Sequence, residues 1–261
     1  MLRFTGISHL LLDIEGTTCP VSFVAEVLFP YAAQQLPTFL QSQANDPTVQ
    51  RLLADVQQAW RNDADPDARS LWQEALGQQQ STALAAATAY LQLLIKQDRK
   101  LTPLKDLQGL IWRGGYAAGE LVAPLYPDVA AALHNWHQEG IVLGVYSSGS
   151  VAAQKLLYRH CNAGDLTPLF SHWFDTRIGS KQQSESYQLI ADAMNCKAEN
   201  ILFISDALAE CQAAKKAGFK ILFSKRSGNP QTEPGPFQAI SNYAELRIES
   251  AAHPPGTKKA T

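Results

Sequence analysis

Five short apolar runs, at residues 9–12, 141–146, 172–174, 201–204 and 220–223, alternate with stretches of helical periodicity. That alternation leaves few folds open: it is the pattern of a parallel sheet whose strands are joined by crossover helices. The spacing breaks in one place. Well over a hundred residues separate the first run from the second, far more than one crossover requires. Something is inserted there.

The insert reads as helical. Val24, Val27, Leu28 and Tyr31 share one helical face. After Asp46-Pro47, a cap and first-turn proline, Val49, Leu52, Leu53, Val56 and Trp60 recur at spacings of three and four. From Ser81-Thr82, the residues Leu84, Ala87, Leu91, Leu94 and Ile95 do the same. The expected organisation is a core at residues 1–20 and 117–228, with a helical bundle at residues 21–116 lying over the sheet's active edge. Gly16, Gly114, Gly115 and Gly119 are hinge candidates. A proline-rich extension, residues 229–261, is expected to end in disorder.

Each strand of the core runs into polar residues of a definite kind. Leu10-Leu11-Leu12 gives way to Asp13-Ile14-Glu15-Gly16, which places two carboxylates where ligands of open parallel sheets bind. Tyr146 leads into Ser147-Ser148-Gly149-Ser150, an anion site at a helix start, although for this stretch alone ordinary capping by Ser148 or Ser150 is the better account. Gly179-Ser180-Lys181 follows Phe174-Asp175, and a lysine at a helix start opposes the dipole preference. Ile204 leads into Ser205-Asp206, with Glu210 one turn on. Asp206 is either a helix N-cap or the partner of Asp13 at a hard-cation site, with Glu210 as an orienting group behind it. Taken together, these residues favour a common site. Asp13, Asp206 and a phosphate dianion sum to about −4, and Mg²⁺ with Lys181 supplies about +3, near balance for phosphoryl transfer.

Composition narrows the class. At 46% hydrophobic and 18% charged, the 261 residues can bury a substantial core. A formal charge of −2 without a basic stripe argues against nucleic acid as a partner, and no stretch reaches transmembrane length. Cys19, Cys161, Cys196 and Cys211 show no metal or disulfide spacing, and nothing at the N-terminus reads as a signal peptide, so a cytoplasmic location is expected.

The order Asp-x-acid-Gly-Thr, Ser-Ser-Gly-Ser, Gly-x-Lys and Ser-Asp-x-x-x-Glu resembles the four motifs of the haloacid dehalogenase superfamily. Within it, the strings DIEGTT, VLFPYA, LYPDV, VYSSGSV and AGDLTPLF resemble the enolase-phosphatase (acireductone synthase) family of methionine salvage, and the likeness reaches from about residue 10 to about residue 226. Glu15 is the most telling position, because most phosphatases of the superfamily carry a second aspartate there. The resemblance implies an α/β fold, a Rossmann-like parallel sheet of the haloacid dehalogenase type with an inserted all-helical cap. It also implies Asp13 as nucleophile, and Mg²⁺ bound by Asp13, Asp206 and the Glu15 backbone carbonyl. Ser147 and the Ser148 backbone would hold the phosphoryl oxygens, Lys181 would neutralise them, and Glu15 would serve as acid and then base. The implied substrate is a small phosphorylated diketone, enolised before dephosphorylation; a monomer is expected, with the oligomeric state open.

The chain departs from the family pattern at Gln183, where Glu is frequent, and at Ala209 and Gln212 around Glu210, which thins the acidic surroundings of the metal. Cys19 could be reactive, although packing suits it better. A hydrolytic dehalogenase would need neither Glu15 nor Mg²⁺. A phosphonate hydrolase would need a cap lysine, and Lys96, Lys100 and Lys105 have no context that recommends them. A receiver-type signalling domain would carry its aspartate on a later strand, and a catalytically silent interaction protein would not need every reactive group retained.

Overall fold

A computed structural model describes residues 1–76, 80–97 and 99–249 of the chain. Along the chain the strands are β1 (Leu2–Thr5), β2 (His9–Leu12), β3 (Val142–Tyr146), β4 (Phe170–Phe174), β5 (Ile201–Ser205), β6 (Lys220–Ser224), β7 (Ala239–Ile240) and β8 (Leu246–Glu249). The α-helices are α1 (Phe29–Ser42), α2 (Pro47–Arg61), α3 (Pro66–Leu76), α4 (Gln80–Lys96), α5 (Thr102–Ala117), α6 (Val129–Gln138), α7 (Val151–Arg159), α8 (Ser184–Ala193) and α9 (Leu208–Lys216). Two compact units result. One comprises Met1–Phe23 and the described residues from Val122 onward, the other Val24–Leu121. Among the described residues, no helix is long and apolar enough to cross a membrane.

The first unit is built on a six-stranded sheet of order β4-β3-β2-β5-β6-β7, with every neighbouring pair parallel. From β2 the chain builds outward first through β3 and β4, then on the other side through β5, β6 and β7. The order therefore reverses at β2–β5, and loops leaving those two strands diverge to open a crevice. Leu10, Leu11 and Leu12 are wholly buried, as are Leu202, Phe203 and Ile204 of β5, which is why these runs carry no polar alternation. Against one face pack Tyr187, Ile190 and Met194 of α8 and its cap, with Cys211 and Ala214 of α9.

Three strands have no counterpart among the five apolar runs. β1 pairs in parallel with β8 as a separate two-stranded sheet, and β7 adds two residues beside β6. Their half-exposed or very short sequences give no buried run to detect. Residues 229–249 thus form an ordered part of this unit. The disorder expected at the very end of the chain lies outside the described residues.

The helical unit follows its periodicity. Asp46 caps α2 through hydrogen bonds from Thr48 N (2.8 Å) and Val49 N (3.0 Å), and Pro47 takes the first turn, where its missing N–H costs nothing. Val49, Leu52, Val56 and Trp60 form the buried stripe of α2. Trp60 is the centre of this second core: its ring stacks on Tyr90 at 4.8 Å, meets Trp72 edge-on at 5.2 Å, and donates its indole N–H to Ala68 O. Gly114 and Gly115, hinge candidates by sequence, lie inside α5. A Cβ on Gly115 would come within 2.6 Å of the Tyr31 ring, so this glycine serves close packing within the unit rather than a hinge.

Trp60→Ala removes a buried indole, its stacking partners' contact surface and one hydrogen bond. We expect it to lower stability by about 3–5 kcal/mol, read as a fall in the urea midpoint by circular dichroism. A loss near zero would contradict this picture of the core.

Candidate active site

β2 ends at Leu12, and Asp13 carries the ladder one step further by donating its N–H to Ile204 O of β5 at 3.0 Å. The chain then turns sharply. The N–H groups of Thr17, Thr18 and Cys19 all point at Ile14 O, at 3.2, 2.9 and 2.9 Å. Gly16 makes the turn possible at φ +66°, and a Cβ there would overlap the Asp206 carboxylate. Asp13 is therefore held at the switch point by backbone bonds, with only 5% of its surface exposed.

Lys181 reaches it from the loop after β4. Its Nζ donates to Asp13 Oδ1 at 2.6 Å and pairs with Glu210 Oε2 at 2.7 Å. Glu210 Oε2 also accepts from Ser205 Oγ at 2.8 Å. The lysine is 8% exposed and lies in a turn before α8, not within the helix start. Burial alone would favour its neutral form, but the Asp13 and Glu210 charges overcome that and raise its pKa above the ordinary value. It is a fixed ammonium.

Asp206 follows β5 and does not cap α9, whose N-cap is Ala207 and has no side-chain cap bond. Ser205 Oγ accepts from Ala207 N at 3.1 Å, and the first helical N–H of α9, that of Leu208, donates to Gln231 Oε1 at 2.8 Å. Burial, with the Asp13 and Glu210 charges, pushes the Asp206 carboxyl up to about 7, and Lys181 offsets this only in part. Glu210 is raised in the same direction, first by burial and then by Asp13, against the opposing pull of Lys181 and the Ser205 hydrogen bond. One ammonium thus faces three carboxylates in a buried setting. Such an arrangement calls for further positive charge.

Ser147, buried at the end of β3, accepts from Gly149 N at 3.3 Å, whereas Ser148 is exposed. The capping alternative holds for Ser150, whose Oγ accepts from Ala153 N, and not for Ser148. Among the described residues, sheet order rather than a hydrogen bond to Asp13 brings Ser147 and Ser148 to this edge. Glu15 is half-buried at the turn, bridged through its backbone to Cys19. The Cys19 thiol is wholly buried and pushed up to about 12 by burial, the Glu15 charge and Cys161, which fits packing and not nucleophilic chemistry.

Several supporting residues escaped the sequence reading. Tyr146 Oη donates to Gly179 O (2.9 Å), Ser186 Oγ to Ser180 O (2.8 Å) and Tyr187 Oη to Lys181 O (2.7 Å). Three hydroxyls thus fix the three consecutive carbonyls of the lysine loop. The turn after Asp13 is held likewise. Ser224 Oγ and Asn229 Nδ2 donate to Gly16 O at 2.8 and 2.9 Å, and Tyr243 Oη donates to Thr17 O at 2.9 Å. Tyr146 and Tyr187 look like plain core aromatics in sequence. Only Ser224, a polar residue closing an apolar strand, carried a detectable signal.

Carboxylates on adjacent strand ends, a buried lysine and a switch-point crevice define a class of hydrolase. The family model of haloacid dehalogenase-like hydrolases matches residues 7–218. Enolase-phosphatase E1 of Synechococcus sp. (strain CC9902) is 49% identical over 240 residues, covering 92% of this chain and 98% of that protein. Enolase-phosphatase E1 of Prochlorococcus marinus (strain MIT 9313) is 49% identical over 236 residues, covering 90% and 96%. The crystal structure of the UTR4 protein from Saccharomyces cerevisiae superposes with a TM-score of 0.73 at 31% identity, covering 92% of this chain and all of that one. The chain belongs to the haloacid dehalogenase-like hydrolases and, within them, to the family of the enolase-phosphatase E1 proteins.

The crowding of carboxylates has a consequence for the metal-free protein. Asp206 holds its proton more tightly folded (about 7) than its ordinary value of 3.8, so its ionisation weakens the fold as pH rises between those values. In EDTA, Asp206→Asn should therefore unfold at higher urea than the parent above a pH of about 7, with the gap closing towards a pH of about 4. Equal midpoints across that range would contradict the charge crowding.

Proposed function

We propose that the chain is a Mg²⁺-dependent enolase-phosphatase that converts 2,3-diketo-5-methylthiopentyl-1-phosphate to the acireductone 1,2-dihydroxy-3-keto-5-methylthiopentene and phosphate, through an aspartyl-phosphate intermediate. The observation that carries it is the Lys181 ammonium, fixed at 2.6 Å on a buried Asp13 beside a second buried carboxylate, Asp206. The names of relatives at 49% identity support the substrate assignment.

A hard divalent cation suits the donor set. Asp13 and Asp206 offer only oxygen, and the site holds more negative charge than Lys181 balances. Gly16 has no Cβ to obstruct the Asp206 carboxylate. Mg²⁺ is usually held by one or two carboxylates and keeps several waters, which suits the Asp13–Asp206 pair. Asp13, Asp206 and the Glu15 backbone carbonyl would hold Mg²⁺, which would supply charge neutralisation to the phosphoryl group and Lewis acidity to an enolate.

The protein's own residues do the rest. Asp13 attacks phosphorus, forming a carboxylate O–P bond as the bond to the substrate's oxygen breaks. Glu15 gives that oxygen a proton, then takes one from the water whose oxygen displaces Asp13 from phosphorus. Lys181 and the Ser147–Ser148 segment hold the phosphoryl oxygens throughout. Lys181 is poised for this because its ammonium pairs with Glu210, whose carboxylate is in turn held by Ser205 Oγ. We propose that the chain works as a monomer in the cytoplasm.

The test follows enol absorbance and phosphate release from the diketo phosphate. Asp13→Asn should lower phosphate release by more than about a thousandfold, and EDTA should abolish it. Full activity in either condition would overturn the mechanism. Turnover of simple sugar phosphates but not of the diketone would remove the substrate assignment. Glu15→Gln should slow phosphate release, and an unimpaired rate would exclude Glu15 as acid and base.

A further inference from the structure

Asn229 lies on the segment after β6. Its side chain is 8% exposed, and its amide is locked in one orientation. Nδ2 donates to Gly16 O at 2.9 Å and to Ser224 O at 3.2 Å. Both partners are carbonyls, which only accept, so exchanging the amide's oxygen and nitrogen would lose both bonds. Oδ1 must then point the other way, and among the described residues it is a buried acceptor without a donor. Buried acceptors of this kind are rare and call for an explanation.

Its location supplies one. A Cβ on Gly16 would lie 2.8 Å from Asn229 Oδ1 and closer still to Asp206 Oδ2. The two oxygens converge over the same glycine at the turn that follows the nucleophile. When Asp206 is ionised, as a bound cation requires, neither can serve as a donor to the other, since a carboxylate and an amide oxygen both accept. Two acceptors facing one spot need a donor or a cation between them.

We propose that Asn229 is a positioning residue of the cation site: its Oδ1 accepts a hydrogen bond from a water bound to the Mg²⁺ that Asp206 helps to hold. The inference rests on the Mg²⁺ reading of this site. Mg²⁺ retains several of its waters when protein-bound, and those waters donate strongly. Partners that orient such ligands typically contribute 10–100-fold to metal affinity. An amide oxygen gives direction to a bound water without adding a further negative charge to a site already crowded with carboxylates.

The experiment is a calorimetric titration of the full chain with MgCl₂, without substrate, so that binding and not turnover is read. Asn229→Ala should weaken Mg²⁺ binding by about tenfold or more. Ser224→Ala loosens the same Gly16 carbonyl without touching the Asn229 acceptor, and should stay within about twofold of the parent. Wild-type Mg²⁺ affinity in Asn229→Ala would overturn the proposal. So would a loss in Ser224→Ala as large as that in Asn229→Ala, because the effect would then come from the turn alone. Undiminished Mg²⁺ binding in Asp206→Asn would instead overturn the underlying cation site. Should Asn229→Ala fail to fold, Asn229→Ser, whose hydroxyl can still donate to one carbonyl, takes its place with the same expected loss.

Discussion

The contact on which the site depends is the Lys181 ammonium wedged between Asp13 and Glu210, at 2.6 and 2.7 Å. A buried lysine is costly unless its charge is matched at close range, and removing one partner of such a pair typically costs about 3–5 kcal/mol. Matching it here requires three separate strand ends to arrive together. β2 delivers Asp13, the loop after β4 delivers Lys181, and α9 delivers Glu210 one turn past Asp206. The sheet order makes this possible, because β2 lies between β3 and β5 at the point where the order reverses. Given that order, the carboxylates cannot avoid one another. The excess negative charge that results is the feature a phosphatase of this type can use.

The strand-end chemistry was legible in the sequence because buried parallel strands leave unbroken apolar runs, and the residue where each run stops is visible. Asp13 and Ser147 stand immediately after such runs and Asp206 one residue further on, each directly after its strand. Lys181 sits farther out, yet its odd placement before a helix singled it out. The ambiguity between capping and ligand roles could not be resolved from residue types. Ser150 took the helix cap at α7, and at α9 the first helical N–H, that of Leu208, went to Gln231 and not to Asp206.

What stayed hidden has a common cause. Hydroxyls of Tyr146, Tyr187 and Tyr243 sit on rings that pack as ordinary core, and only the tertiary fold reveals which carbonyl each one reaches. The segment beyond residue 228 reads as a proline-rich tail, since β7 and β8 are short or alternate between buried and exposed. Yet Asn229 and Tyr243 from that segment hold Gly16 O and Thr17 O, directly behind the nucleophile. Gly115 misled in the opposite sense. A glycine pair suggests a hinge, but the Tyr31 ring requires the missing Cβ. Local patterns report burial well and long-range contact poorly.

The central claim is that Asp13, held by Lys181, becomes covalently phosphorylated and that Glu15 clears the intermediate. Rapid acid quench of the enzyme turning over the diketo phosphate, followed by mass spectrometry of its peptides, reads this directly. The account expects one phosphoryl mass on the peptide carrying Asp13, at higher occupancy in Glu15→Gln than in the parent. Steady turnover with no phosphoryl group on that peptide in either protein would contradict it.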